Sequence, residues 1–344
     1  MSPISGAERE RFLHHLVQGD EVAALGCART LLGAGLEPER ILVDLIAPAQ
    51  VRIGELWHNH RISVAQEHLA TAIADRLVTT ISQAGSRPAP PRGSVVVACP
   101  AGEWHALPAR LLAEVLRARG WYVDFLGASV PPDDMSGYLR LRRPDALALS
   151  VTLPAYLPQA HRALQTARAA GVPGLVGGCA FGPDGRYARR MAADAWAPDA
   201  LSAAAVLSHW PPPAPPRAAD LVDDGEYQLL VRDRWRLVDS MLEGFRLHLA
   251  AQRRDWATRI EETIAELHYL LEYLAAAVYL GDSAIFVDFV AWLRELRSAY
   301  DRAPQPVDVA LATLADRLAH QPRTRDVLAA GRGRQTITAD SGSG

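Results

Sequence analysis

A single histidine occupies a position where an α/β protein would bind a ligand. His105 follows an apolar run, residues 94–99, that has the length and composition of a buried parallel strand, and it precedes an amphipathic helical pattern over residues 109–119. In an open α/β sheet, ligands dock at the carboxyl ends of the strands, where the loops diverge. A lone imidazole in a loop is more often a bystander than a metal ligand. The position of His105 therefore indicates a binding loop without identifying the ligand.

Other polar side chains and glycines stand at comparable positions. Ser150-Val151-Thr152-Leu153 ends a second apolar run, and Gly177-Gly178 closes a third. In the helical first part of the chain, Trp57-His58 is followed nine residues after His58 by Glu67-His68. Taken alone, this helical group is typical of a core tryptophan with two histidines at helix ends. Whether this group has a binding function depends on which part of the protein the helices face.

Together these segments resemble a known family over residues 93–209. Its pattern, Asp/Glu-x-His-x-x-Gly with a Ser-x-Leu/Thr element and a Gly-Gly pair, belongs to the cobalamin-binding fold of methionine synthase, the mutases and the CarH-type photoreceptors. The resemblance implies that His105 is the lower axial cobalt ligand and that Glu103 orients it. It also implies cofactor contacts from Trp104, Ser150, Thr152, Leu153, Gly177 and Gly178. Pro108 stands where the family has glycine, a departure that a first helical turn tolerates; a ligand-free flavodoxin-like domain is the alternative.

Beside such a fold, the helical group resembles the cap that lies over adenosylcobalamin in the CarH family. On that resemblance Trp57 packs over the adenosyl group, because an indole is a large and rigid apolar lid. Glu67 accepts hydrogen bonds from the adenosyl hydroxyls, and His68 supports the pocket. His58 binds cobalt from above once light has cleaved the cobalt–carbon bond.

The periodicity of the chain predicts the elements that position these residues. Residues 1–85 form a helical bundle with helices over 9–18, 21–32, 38–57 and 64–81. After a proline-rich linker, residues 93–209 form an α/β domain with five parallel strands over 94–99, 122–126, 146–151, 174–177 and 194–197. The order 2-1-3-4-5 is expected by analogy. A second proline-rich stretch precedes an all-helical domain at 220–330, and we expect a disordered tail at 331–344.

Composition restricts the class of protein. With 344 residues, 49% hydrophobic and 22% charged, the chain is typical of two or three ordinary globular domains. The net charge of −3 argues against a nucleic-acid partner, and no long apolar run or leader pattern indicates a membrane, so we expect a cytoplasmic protein. The three cysteines have no metal-ligand spacing and indicate buried apolar positions.

The all-helical domain extends the resemblance. The CarH family carries a DNA-binding module ahead of its bundle, which here begins close to Met1, whereas aromatic and basic side chains collect in the last third of the chain. The arrangement resembles a photocobilin, in which a cobalamin module is joined to a globin-like domain that holds a linear tetrapyrrole. Non-covalent biliverdin, or a related bilin, would contact Arg246, His248, Arg253, His268, Tyr269, Tyr273 and Trp292. An aromatic stripe at helical spacing is, however, more often core.

These observations predict a photoreceptor and not an enzyme. Adenosylcobalamin would lie between bundle and sheet, and light would rearrange the cap and signal to a downstream protein, an enzyme or a second copy of the chain. The first alternative is a corrinoid carrier that serves a methyltransferase. The second is a cobalamin sensor whose last domain is a dimerisation or docking module.

Overall fold

The structure, a computed structural model, describes residues 4–85, 91–211, 221, 225–252, 260–299 and 305–333. The side chains of 248–252, 260–262, 299 and 305 are not described. The chain divides into two compact units, residues 1–219 and 220–344. The bundle and the α/β domain that were expected separately therefore pack into one unit, and each unit is treated by itself below.

The first part of unit 1 is a helical bundle. Its helices are α1 (Gly6–Gln18), α2 (Glu21–Gly33), α3 (Pro38–Ile41), α4 (Ala47–His58) and α5 (Val64–Ser82). A π-helical turn, Leu42–Ile46, joins α3 to α4, so the helix predicted over 38–57 is continuous but locally widened. Ser63 begins α5 with a capping box, in which its hydroxyl accepts from the Gln66 amide while the Gln66 side chain accepts from the Ser63 amide.

The second part of unit 1 is a five-stranded parallel sheet in the order β2-β1-β3-β4-β5, as predicted. The strands are β1 (Ser94–Pro100), β2 (Tyr122–Val130), β3 (Ala146–Ser150), β4 (Gly174–Gly177) and β5 (Ala195–Ala197). The helices are α6 (Ala106–Ala118), α7 (Pro132–Arg142), α8 (Leu157–Ala169), α9 (Arg186–Arg190) and α10 (Ala200–Leu207). The central strands are covered on both faces, which explains why β1 and β3 are continuous apolar runs.

Helix α6 contributes to two cores at once. Leu107 and Leu111 belong to the apolar cluster of the bundle, whereas Leu112 and Val115 belong to that of the sheet. Pro108 lies in the first turn, where its missing N–H has no helical partner, so the helix is intact despite the departure from the family's glycine. Because α6 begins directly after His105, the packing of the bundle is tied to the histidine loop.

Two arginines add polar contacts between the bundle and the α/β domain. Arg110 lies on α6, and Arg119 directly follows that helix. Arg110 donates to the Thr79 hydroxyl at 2.6 Å and lies 3.5 Å from Asp75, both on α5. Arg119 donates to both oxygens of Glu39 at 2.7 and 2.5 Å. These pairs fix the rotation of the bundle on the α/β domain at two separate points.

Unit 2 is all helical in its described part. The helices are α11 (Gly225–Arg232), α12 (Arg234–Gln252), α13 (Ile260–Leu280), α14 (Ala284–Ala299), α15 (Gln305–Arg317) and α16 (Pro322–Gly333). Because α16 continues to Gly333, the prediction of a disordered tail from 331 is wrong for its first three residues; 334–344 lie outside the described residues. None of the described helices is long and apolar enough to cross a membrane.

Candidate functional site

The His105 side chain is held through one of its two ring nitrogens. His105 is the residue that precedes α6, in the loop after β1. Its Nδ1 lies 2.6 Å from Glu103 Oε1, and its backbone amide donates to the same oxygen at 3.0 Å. The side chain is 51% exposed. With Nδ1 engaged by the carboxylate, Nε2 is the nitrogen that would take a metal ion.

Glu103 joins two loops of the sheet. It is fully buried, and its second oxygen accepts from the backbone amides of Thr152 at 2.7 Å and Leu153 at 3.1 Å. One carboxylate thus ties the loop after β1 to the loop after β3. Thr152 and Leu153, predicted as cofactor contacts, are brought to the site through their main chain.

The charges of this pair stabilise each other. The bond to Glu103 raises the pKa of the His105 ring against the opposing effect of burial, and the charge of Glu67 raises that pKa further. Burial acts to raise the pKa of the Glu103 carboxyl, but the bonds from the His105 ring and amide and from Leu153 outweigh it, so the pKa is lowered. A metal ion at Nε2 would displace the Nε2 proton while Nδ1–H stays with the carboxylate.

A slot lined mainly by apolar groups runs along the carboxyl ends of β3, β4 and β5. The lining includes Pro108, Leu149, Ser150, Val176, Gly177 and Gly178. Three of the predicted cofactor contacts, Ser150 and the glycine pair, therefore share one cavity. An apolar cavity with a few polar groups at the carboxyl ends of parallel strands is where small molecules commonly bind in such folds.

The glycine pair is required by the protein's own backbone. A Cβ on Gly177 would lie 2.8 Å from the carbonyl oxygen of Ala197, and a Cβ on Gly178 would lie 2.2 Å from that of Val151. Gly178 also has a φ of +104°. The expectation that these glycines serve approach of the cofactor is thus incomplete, because the close contact that excludes a side chain is made between β4 and its neighbours.

The predicted cap residues lie on two adjoining helices of the bundle. Trp57 and His58 end α4, and Glu67 and His68 lie in the first turns of α5. Trp57 is partly buried against the same apolar cluster to which Leu107, two residues after His105, belongs. Trp57 and the first turn of α6 therefore pack on one apolar cluster. The charge of the Glu67 carboxylate contributes to the raised pKa of His105.

Two polar residues of the cap were missed in the sequence. The Thr71 hydroxyl donates to Glu67 Oε1 at 3.1 Å and lies 3.0 Å from Gln50 Oε1. The signal was available, since Thr71 follows Glu67 by four residues and Gln50 precedes Trp57 by seven, which places each pair on one helix face. His68, bonded to Glu67, is 76% exposed, and Trp104 is 73% exposed beside His105.

The residues predicted as bilin contacts in unit 2 lie in surroundings of different kinds. Tyr273 stacks on Phe289 with ring centroids 3.9 Å apart, and Trp292 packs on the same ring at 5.7 Å. His268 meets the edge of Trp235 at 4.5 Å. Arg246 lies on an exposed part of α12, and Tyr269 is 39% exposed. The His248 side chain and Arg253 lie outside the described residues, and Tyr273 is buried.

The helical bundle and the α/β domain each match a known family of cobalamin-binding domains. Two family models agree: one described as a B12 binding domain matches residues 93–205, and a second with the same description matches residues 8–81. They correspond to the α/β domain and to the helical bundle. Both parts of unit 1 therefore match B12-binding domains, and unit 2 lies beyond both matches.

The chain is similar to two curated proteins over part of its length. The HTH-type transcriptional repressor CarA of Myxococcus xanthus is 33% identical over 145 residues, which cover 41% of this chain and 47% of that protein. The repressor CarH of the same organism is 33% identical over 153 residues, 43% of this chain and 50% of that protein. The chain thus spans about half the length of these relatives. Their names conflict with the expectation, drawn from net charge, that a nucleic-acid partner is excluded.

The solved structures to which this chain is similar include a Methanosarcina barkeri monomethylamine corrinoid protein, at 18% identity and a TM-score of 0.49, covering 57% of this chain and 94% of that one. A cobalamin-binding protein from Desulfitobacterium hafniense has 16% identity and a TM-score of 0.33, covering 58% and 96%.

Proposed function

We propose that this protein is a light sensor that binds adenosylcobalamin in unit 1, between the bundle and the carboxyl end of the sheet. The observation that carries the proposal is the Glu103–His105 pair, in which a buried carboxylate holds Nδ1 and leaves Nε2 for cobalt. The B12-binding models over residues 8–81 and 93–205 support the cofactor class. Bound adenosylcobalamin supplies a cobalt–carbon bond that visible light can break.

On the sheet side, the chain's own residues set the position of the cofactor. His105 would hold cobalt through Nε2, and Glu103 fixes the tautomer and the direction of the ring. The slot at Ser150 and Gly178 receives the nucleotide tail, because its lining is largely apolar and it opens beside the same loop. Anchoring at two points, the ring and the tail, determines the orientation of the corrin.

On the bundle side, the cap residues cover the upper face. Trp57 would exclude water from the adenosyl group, and the Glu67 carboxylate, which accepts from the Thr71 hydroxyl, would also accept from the adenosyl hydroxyls. His58 is the residue that we assign to the upper axial position after illumination. The cap is a separate helical layer packed on α6, so a change at Trp57 and His58 would alter that packing.

The test is a titration in the dark followed by illumination. We expect adenosylcobalamin to bind, with a visible spectrum that His105→Ala changes before light and that His58→Ala changes only after light. His14→Ala, an exposed histidine of α1, is the control and should match the wild type. A protein that binds adenosylcobalamin but shows no light response, while accepting a methyl group from a donor enzyme in the dark, would instead be a corrinoid carrier.

For signalling, we propose that a partner protein or a second copy of the chain recognises the altered packing of the cap. The names of the curated relatives make transcription the first process to examine. Size-exclusion chromatography in dark and light, with and without DNA fragments, separates self-association from nucleic-acid binding. A single unchanged species in all four conditions would refute both light-dependent self-association and DNA binding.

Bilin binding in unit 2 is a separate proposal. Its support is the composition of α12–α14 and the resemblance of the whole arrangement, and the stacking of Tyr273 on Phe289 argues for a structural role instead. Co-expression with a biliverdin source decides between them. Absorption in the far red, lost in Arg246→Ala, is the expected result for a bilin site, whereas its absence after co-expression assigns unit 2 to docking or dimerisation.

A further inference from the structure

Strand β2 is longer than its partner at the end that meets the histidine loop. Val97 of β1 pairs with Phe125 of β2, and Pro100 pairs with Val130, so three steps on β1 face five steps on β2. Register shifts on either side of Ala98 take up the two extra residues. Bulges of this kind commonly re-aim a strand end beside a functional site.

Ser129 is the residue that this irregularity presents to the loop. Its φ of +51° is in the left-handed region, which a serine adopts only at an energetic cost. Its Oγ accepts from the Gly102 amide at 3.0 Å, and its own amide donates to the carbonyl oxygen of Glu103 at 2.9 Å. One bond goes to the residue before the Glu103–His105 pair, and the other goes to Glu103 itself.

Gly102 is held from the opposite side as well. Its φ is +85°, and a Cβ there would lie 2.9 Å from the ring of Tyr156, which is buried after β3. The loop is thus confined between Ser129 and Tyr156. A rotation about Gly102 would move the Glu103 carboxylate away from the Thr152 amide and carry His105 with it.

A plain turn between β2 and α7 would not require these contacts. Such a turn needs only its own residues and the two prolines that follow Val130. Here both the hydroxyl and the amide of Ser129 bond to the neighbouring loop. The strained backbone of Ser129 therefore supports a contact outside the turn.

We propose that Ser129 is a positioning residue for His105: from the bulged end of β2 it fixes Gly102 and Glu103, and thereby the place and direction of Nε2. The identity of the ligand as cobalt rests on the proposed function, whereas the positioning itself is a property of the ligand-free chain. No direct contact between Ser129 and the cofactor is implied.

The test compares Ser129→Ala, which keeps the strained backbone without the acceptor, with Ser129→Gly, which relieves the strain and also lacks the acceptor. In ligand-free protein labelled with ¹⁵N-histidine, we expect the Nδ1–H signal of His105 to be sharp in the wild type and broadened, with faster proton exchange, in both variants. The signal is assigned by its loss in His105→Ala.

The second readout uses cob(II)alamin as the probe. Nitrogen splitting in the electron paramagnetic resonance spectrum, altered by ¹⁵N-histidine, reports the fraction of cobalt bound by His105. We expect a roughly five-fold lower ratio of histidine-bound to histidine-free cobalt in both variants, as for the loss of one neutral hydrogen bond. Ser5→Ala is the matched control, because it removes the capping hydroxyl of α1 and lowers stability without touching the loop.

The two measurements distinguish the positioning role of Ser129 from the proposed binding of cobalamin. Wild-type values for both Ser129 variants in the histidine spectrum, or the same changes in Ser5→Ala, would overturn the positioning role. A wild-type protein that binds no cob(II)alamin would end the proposed function, while the ligand-free histidine spectra would still decide the role of Ser129.

Discussion

Glu103 Oε1 lies 2.6 Å from His105 Nδ1, and the other oxygen of the same carboxylate accepts from the Thr152 amide at 2.7 Å. The carboxylate is fully buried, so both contacts are made away from competing water. A single side chain therefore decides both the direction of the imidazole and the conformation of the loop after β3. This double use explains why a carboxylate, with two equivalent acceptor oxygens, is needed at position 103.

Glu103→Gln should weaken the fold and the site together. Glutamine has one acceptor oxygen, so it can serve either His105 or the amides of the β3 loop, and its NH₂ group would then face other donors in a buried place. We expect a loss of about 2 kcal/mol in the free energy of unfolding and a cobalamin affinity lower by about 10–100-fold. Chemical denaturation and titration measure these; Glu10→Gln, on an exposed part of α1, should change neither.

Gly178→Ala should be destabilising because of a backbone contact. The added Cβ would lie 2.2 Å from the Val151 carbonyl oxygen, in a residue whose φ is +104°. We expect a loss of about 3 kcal/mol in unfolding free energy, from strain and overpacking together. Gly171→Ala is the control, since its φ is +74° but nothing lies within 4 Å of the added Cβ. Equal losses in the two variants would show that the Val151 contact has no effect.

The sequence predicted the sheet better than it predicted the ends of its strands. The apolar runs located all five strands, because buried parallel strands are continuous in hydrophobicity. β2 was expected to end at Leu126, yet it continues to Val130 through two register shifts. Pairing between strands that are distant in sequence determines such bulges, and no local pattern of side chains records it.

The sequence predicted which residues form the candidate site, but not the hydrogen bonds that connect them. His105, Glu103, Ser150 and the glycine pair were all identified, but the bonds from Glu103 to the amides of the β3 loop were not, since every residue has an amide. Ser129 was missed for the same reason: its role depends on a left-handed backbone and on the neighbouring loop. The aromatic stripe of unit 2 had a periodicity that core and ligand site share.

Leu111→Ala and Leu112→Ala should act on different cores although the residues are adjacent. Leu111 is buried in the cluster of the bundle, and Leu112 in that of the sheet. Each truncation should cost about 2–5 kcal/mol. Hydrogen exchange should rise mainly in α1 and α5 for the first variant and mainly in β1 and β3 for the second. The same distribution of exchange in both would mean that α6 does not separate the two cores.

Glu226→Gln should destabilise unit 2 in a way that depends on pH. The Glu226 carboxylate accepts from the Thr324 amide and hydroxyl, each at 2.8 Å, and from the Arg323 amide at 3.2 Å, in the first turn of α16. Burial acts to raise the pKa of this carboxyl, but those bonds outweigh it, so the pKa lies below its ordinary value of 4.5. The stabilisation is therefore complete above about pH 4.5 and is lost as the pH falls through the lowered pKa.

At pH 7 we expect the variant to lose about 1.5–3 kcal/mol of protection against hydrogen exchange at the amides of α16. The difference from the wild type should shrink below about pH 4.5, because the wild-type carboxylate then takes up its proton. Asp326→Asn, an exposed acid on the same helix, is the control and should stay within about 0.5 kcal/mol at both pH values. A loss at α16 that is independent of pH would contradict the assignment of the stabilisation to the charge of Glu226.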